Sequence, residues 1–163
     1  MSHLIRNRQL AADTYRRLAD DEPLPDAGKV IVSLARWQKE PALRGRQDDV
    51  GVQLPNTVDV APLWPLLSER KLIVVEFPAF ADGRAYSQAR LLRERYRFAG
   101  EIRATGAAVV RDQLHAMARC GIDSLELRAD QDPALCLRSF ADFSLAYQSA
   151  ADLAPAIWRR RRA

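Results

Sequence analysis

An α/β fold built from repeated βα units is what this sequence predicts. It reads as one domain with about five mostly parallel strands, open or half-barrel-like, preceded by a small N-terminal hairpin. Three observations carry that reading. Leu72-Ile73-Val74-Val75 is a continuous apolar run rich in β-branched residues, the pattern of a strand buried on both faces of a parallel sheet. Ala85, Ala89, Leu92, Tyr96 and Ala99 recur at three- and four-residue spacing, which marks a helix that buries one stripe. From there strand and helix patterns alternate at short intervals, as right-handed βαβ units require. A closed eight-fold barrel needs ~250 residues, and this chain has 163.

Taken in order, Leu4-Ile5 and Gln9-Leu10 flank Arg6-Asn7-Arg8 and predict a hairpin. Asp20-Asp21-Glu22-Pro23-Leu24-Pro25-Asp26 is acidic, carries two prolines and reads as a linker. Val30-Ile31-Val32 is a buried strand, followed by a short helix around Leu34 to Leu43 that Arg44-Gly45-Arg46 ends. Val50 to Leu54 resumes a strand. Pro62 and Pro65 confine any regular helix between Val58 and Arg70 to its later part. After the Leu72 strand comes the turn-rich loop Pro78 to Arg84, then the helix from Ala85, which Gly100 stops. Glu101 to Ala104 is a short strand and Thr105-Gly106 a tight loop. Val110, Leu114, Met117 and Gly121 line a second helix, and Ile122 to Leu127 forms the last strand. Asp132-Pro133 opens a final helix, with Phe140 to Tyr147 packing back as its end or as a separate turn. Residues 1–27 thus form a hairpin and linker segment, 28–150 the α/β domain and 151–163 an arginine-rich C-terminal tail.

Composition narrows the function classes. No run approaches the ~18 apolar residues of a membrane helix, mean hydropathy is -0.27, and Met1 to Leu10 lacks the apolar core of a secretory signal. A cytoplasmic protein is expected. Cys120 and Cys136 are too few and too far apart for a disulfide scaffold. With His3 and His115 they form no metal-ligand spacing, so no metal is expected. Neither a Gly-x-Gly-x-x-Gly nor a phosphate-loop motif occurs, so the chain carries no handle for a nucleotide cofactor and none is expected. The basic character is unusual in kind. Of 25 basic residues only Lys29, Lys39 and Lys71 are lysine, which leaves 22 arginines. Nucleic acid is an unfavoured partner, because no aromatic-plus-basic sheet surface accompanies them.

In parallel α/β sheets ligands sit beyond the carboxyl ends of strands. Three such loops each hold an arginine: Glu76 to Arg84, Arg103 to Gly106, and Glu126 to Asp130. Arg84, Arg103 and Arg128, with Glu76, Asp82, Gly83 and the helix-start residues Tyr86 and Ser87, form a candidate site for a small oxyanion such as sulfite, sulfate or phosphate. The alternative is that these arginines pair with Glu76, Asp82, Asp112, Glu126 and Asp130 as structural bridges. Glu76 and Glu126 also read as a possible carboxylate pair for acid–base work. Arg90, Arg93 and Arg97 recur opposite the apolar stripe of their helix, either as a solvated face or as a docking face for an acidic partner. Cys120 sits at a helix end beside Arg119, as a buried structural cysteine or a redox thiol. Trp158 and the four arginines after it read as a loose tail.

The residues from Glu76 to Arg128 also resemble a known family. The matching text includes Phe77-Pro78, Phe80, Asp82-Gly83-Arg84, Tyr86-Ser87, Ala89 to Tyr96, Gly100-Glu101, Arg103-Ala104, Gly106, Arg111 to Leu114 and Arg119-Cys120-Gly121. It continues more weakly through Asp142-Phe143-Ser144 and Ala146-Tyr147-Gln148. This is an uncharacterised family of bacterial proteins associated with sulfite reduction, whose members are encoded beside the sulfite reductase haemoprotein. The resemblance implies an accessory protein or oxidoreductase component of assimilatory sulfite reduction, acting with that haemoprotein. It supplies no catalytic residues. A small enzyme acting on a sulfur or phosphate oxyanion, and a non-catalytic adaptor for sulfur-assimilation enzymes, remain alternatives. The chain departs from the family pattern after Gly106, where Ala107-Ala108-Val109-Val110 replaces a shorter segment that begins with Asp or Asn. A polar cap from that side chain is missing here or has moved. It departs again at Glu76, where Asp is usual.

Overall fold

The computed structural model of the chain describes residues 3–46, 48–152 and 156–160. Among them, β1 (Leu4–Arg6), β2 (Gln9–Ala11), β3 (Tyr15–Arg17), β4 (Lys29–Ser33), β5 (Val50–Leu54), β6 (Leu72–Glu76), β7 (Glu101–Thr105) and β8 (Ser124–Glu126) form one sheet. Its order is β2-β1-β8-β7-β6-β5-β4-β3. Each strand from β3 to β8 pairs parallel with the next, while β1 joins β8 and β2 antiparallel. The sheet therefore has eight strands where about five were expected. β3 escaped notice because Tyr15-Arg16-Arg17 has no apolar run. The expected hairpin forms, and it extends the sheet rather than standing apart. Arg6 pairs with Gln9, which leaves Asn7 and Arg8 as a two-residue turn with φ of 50° and 63°, the signature of a type I′ turn.

Curvature follows from connectivity. β2 and β3 lie at opposite edges of the sheet, yet only Ala12, Asp13 and Thr14 join them. A link that short reaches at most about 14 Å, so the sheet must curl until its edges approach each other. Arg17 on β3 accordingly donates to Glu126 on β8 at 2.8 Å, across the hollow of the sheet. The result is a half-barrel.

The two faces of the sheet differ. Convex-face residues such as Val32, Val52, Ile73, Val75, Ile102 and Leu125 join the main core with Trp37, Leu67, Leu92, Leu114 and Phe140 from the outer layer. On the concave face only Ile31, Leu72 and Val74, with Tyr15 packed against them, form a small second cluster. This arrangement explains why Leu72 to Val75 reads as apolar without alternation: successive residues enter different cores.

The outer layer comprises α1 (Leu34–Lys39), α2 (Trp64–Leu67), α3 (Arg84–Arg90), α4 (Arg111–Arg119), α5 (Pro133–Arg138) and α6 (Ile157–Arg160). Ser33 caps α1 by accepting from the Arg36 N–H, and Asp132 caps α5 by accepting from the Ala134 N–H. α2 is a single turn, shorter than the expected helix because Pro62 and Pro65 leave it little room. α3 does not run to Ala99. It continues as a π-turn over Leu91–Arg95, and Arg97 then takes φ 55°. No side chain of Val110 caps α4. Gln131 Oε1 accepts from the Arg111 N–H at 3.1 Å instead, so the cap has moved to another loop. Among the described residues no helix is long and apolar enough to cross a membrane. Of the tail read from sequence, Arg161 to Ala163 and the side chains of Arg159 and Arg160 lie outside the described residues.

Candidate functional site

The carboxyl ends of the six parallel strands form one mouth of the half-barrel, the place where α/β sheets hold ligands. Strand register sets Glu76 beside Thr105. Thr105 Oγ1 donates to Glu126 Oε2 at 3.0 Å, and Arg17 Nη2 donates to the same oxygen. Arg17 Nη1 donates to Gln53 Oε1. Glu76, Gln53, Thr105 and Glu126 are each half-buried and rise from four different strands. The Glu76 side chain makes no hydrogen bond or ion pair among the described residues. One strand separates Glu76 from Glu126, so their backbones stand about 9.6 Å apart.

The three strand-end arginines each hold carboxylates of their own. Arg84 makes a bidentate pair with Asp82 at 2.9 Å (Nε) and 2.6 Å (Nη2). Asn56 Nδ2 donates to the same carboxylate at 2.7 Å, which ties the loop after β5 to the loop after β6. Arg128 holds Asp130 at 2.6 Å and 2.8 Å and donates to the Ala107 carbonyl at 3.1 Å. These bonds hold the Asp82 carboxyl far below its ordinary range and that of Asp130 at about 2. Both carboxylates stay charged at neutral pH, and an incoming oxyanion would have to displace them. Arg103 lies deeper, two residues before Thr105 on the concave face, with 0% exposure. It donates to both Asp13 oxygens at 2.9 Å and to Glu101 at 3.1 Å, under the Tyr15 ring.

The remaining expected residues divide. Gly83 opens α3 with no side-chain cap, and Ser87 is exposed on it. Tyr86 turns away from the loop: its ring meets Phe77 edge-on at 4.9 Å and its hydroxyl donates to Gln113 on α4. Burial pushes its pKa up to about 12, so it remains protonated. Arg90 pairs with Glu94 at 2.8 Å on the solvent side, and Arg97 is exposed. Arg93 leaves that row, because the wider π-turn rotates it inward. It donates to the carbonyls of Gly121 (2.7 Å), Gly100 (2.8 Å) and Phe98, and to Asp123. Burial raises the thiols of Cys120 and Cys136, which makes neither a ready thiolate. Among the described residues no three or more His, Cys, Asp or Glu side chains are placed to hold a metal ion.

The model of a family described as bacterial protein of unknown function, DUF934, matches residues 51–158. The chain belongs to that family. No curated protein and no solved structure matches it. The matched segment starts within β5 and runs into α6, so it holds Gln53, Glu76, Thr105 and Glu126 but not Arg17. Sequence reasoning found Glu76 and Glu126 through their positions at strand ends. Gln53 stands next to last in its predicted strand and Thr105 directly follows its own, so both lie close to the same signal without having been singled out. Arg17 carries none, because its strand is invisible in the sequence and its partner lies 109 residues away.

Proposed function

We propose that the protein is an accessory component of assimilatory sulfite reduction, working beside the sulfite reductase haemoprotein rather than turning over sulfite itself. The residue string from Glu76 to Arg128, which carries the resemblance to proteins of that pathway, supports the first half. The second half rests on one observation: Arg84, Arg103 and Arg128 are each closed on carboxylates among the described residues, so none of the three stands vacant for a sulfur oxyanion. A protein in this role acts on or for its partner, and its own polar mouth serves recognition.

Deletion of the gene tests the proposal through growth on defined sulfur sources. Loss of growth on sulfate and on sulfite, with growth restored by sulfide, is expected. Normal growth on sulfate overturns it. Complementation with Arg84→Ala and Arg128→Ala separates the accessory role from an oxyanion enzyme. Both variants are expected to restore growth, whereas failure of two folded variants would return the arginines to a substrate site.

A further inference from the structure

The segment after α5 leaves its apolar side chains in solvent. Phe143 is 67% exposed, Leu145 51% and Tyr147 78%. They recur at every second residue of a non-helical stretch, and none of the three belongs to a core cluster. Single exposed apolar residues are ordinary, but a contiguous group marks an interaction site. The stretch is held in place. Arg119 Nη2 donates to the Gln148 carbonyl at 2.7 Å, the Ala151 N–H donates to the Arg119 carbonyl at 3.0 Å, and the Ile157 N–H donates to the Ala146 carbonyl at 2.9 Å. Three clefts, of about 560, 400 and 230 Å³, open along it, and His115 and Phe143 line all three. The His115 ring packs on Phe143 at 5.3 Å.

Charge around the strip is unbalanced. Arg8 lines one of the clefts and Arg138 ends α5 beside another; neither has a carboxylate partner among the described residues. Arg111 and Arg119 hold Asp142 and Asp152 only at 3.4 and 3.5 Å. The hydrogen bond to Ala146 sets the start of α6 against the strip, and Trp158 there is also exposed. In sequence Trp158 is followed by four arginines.

We propose that this strip is a docking surface for an acidic partner protein, which inserts apolar side chains between His115, Phe143, Leu145 and Tyr147 and sets carboxylates against the surrounding arginines. The pairing of aromatic anchors with a charged rim is that of a protein interface. Arg8 and Arg138, without carboxylate partners among the described residues, are the charges such a partner would meet, while Asp142 and Asp152 keep Arg111 and Arg119.

The probe is a fluorescein-labelled peptide that repeats Glu-Glu-Leu-Phe, with two controls: Ser in place of Leu and Phe, and Lys in place of Glu. The full chain is expected to bind the first peptide, more weakly as salt rises, and to bind neither control. Phe143→Ser with Tyr147→Ser is expected to weaken binding by about tenfold or more with an unchanged melting temperature, since both side chains are exposed. Absence of binding, equal binding of the Ser control, or an unaffected double variant overturns the proposal. Tighter binding of oligo(dT) would assign the strip to single-stranded nucleic acid instead. A dimer in sedimentation that the double variant dissolves would assign it to a second copy of the chain.

Discussion

A guanidinium offers five N–H donors in a fixed planar fork, and at Arg93 they reach four acceptors on two segments, 98–100 and 121–123. Three are carbonyls at the ends of the α3 and α4 layers, and the fourth is the Asp123 carboxylate, which also accepts from the Ile102 N–H at 2.8 Å. A lysine, with one ammonium on a flexible stem, cannot span the four. The site has a pH signature, because burial raises the Asp123 carboxyl above its ordinary value. A carboxyl raised in the folded state binds its proton more tightly there than in the unfolded chain. Stability is therefore greatest while that proton is held, and falls as pH rises through the raised value. Arg93→Ala removes the countercharge and drives the carboxyl further up. The variant is expected to lose about 3 kcal/mol near neutral pH and distinctly less near pH ~4. Urea unfolding at both pH values checks this through the midpoint with an unchanged slope. An equal loss at both pH values would show that the carbonyls, not Asp123, carry the interaction.

At the scale of elements, the β6–α3 and β7–α4 connections interlock through one close approach. Gly106 has φ 112°, and a Cβ there would lie 2.4 Å from the Phe77 carbonyl oxygen, which is itself bonded to the Ala108 N–H at 3.1 Å. Neither conformation nor space admits a side chain. Gly106→Ala is expected to cost about 1–3 kcal/mol for the backbone conformation with the clash added to it, against about zero for Gly45→Ala, where the nearest atom is 3.8 Å away. Thermal unfolding of the two variants compares them directly. These elements also show what the sequence makes legible. Strands β4, β5 and β6 are visible because each buries an apolar run, β7 and β8 through the strand–helix alternation around them, and α3 and α4 because one stripe of each meets the convex face. The end of α3 is not visible, since Tyr96 and Ala99 continue a helical spacing that the π-turn breaks. Nor is β3, whose three residues include two arginines. The paired state of Arg84 and Arg128 was legible as one of two options, because Asp82 and Asp130 lie two residues from them. The inward turn of Arg93 was not, because it depends on a π-turn that spacing alone does not reveal.

For the whole molecule the question is what keeps the curled sheet closed. Two candidates are the three-residue link between β2 and β3 and the side chains that cross the hollow. Lengthening a loop acts only through closure entropy, and doubling its length costs about 0.6 kcal/mol. The crossing interactions are of another order. Arg103, fully buried, joins Asp13 in the link to Glu101 on β7, and Glu101 in turn holds Arg6 on β1 and Ser124 on β8. Removing one partner of a buried ion pair costs about 3–5 kcal/mol, since the other charge is left without compensation. Arg17 adds a second crossing at the mouth, though its 38% exposed side chain is worth less. The short link imposes the curl, and the interior charges are expected to hold it more strongly than the length of the link does. Three residues, Gly-Ser-Gly, inserted after Thr14 are expected to lower stability by less than about 1 kcal/mol, while Arg103→Ala lowers it by about 3–5 kcal/mol. Urea unfolding of the two variants decides between them, and a larger loss from the insertion would place the control of closure in the link.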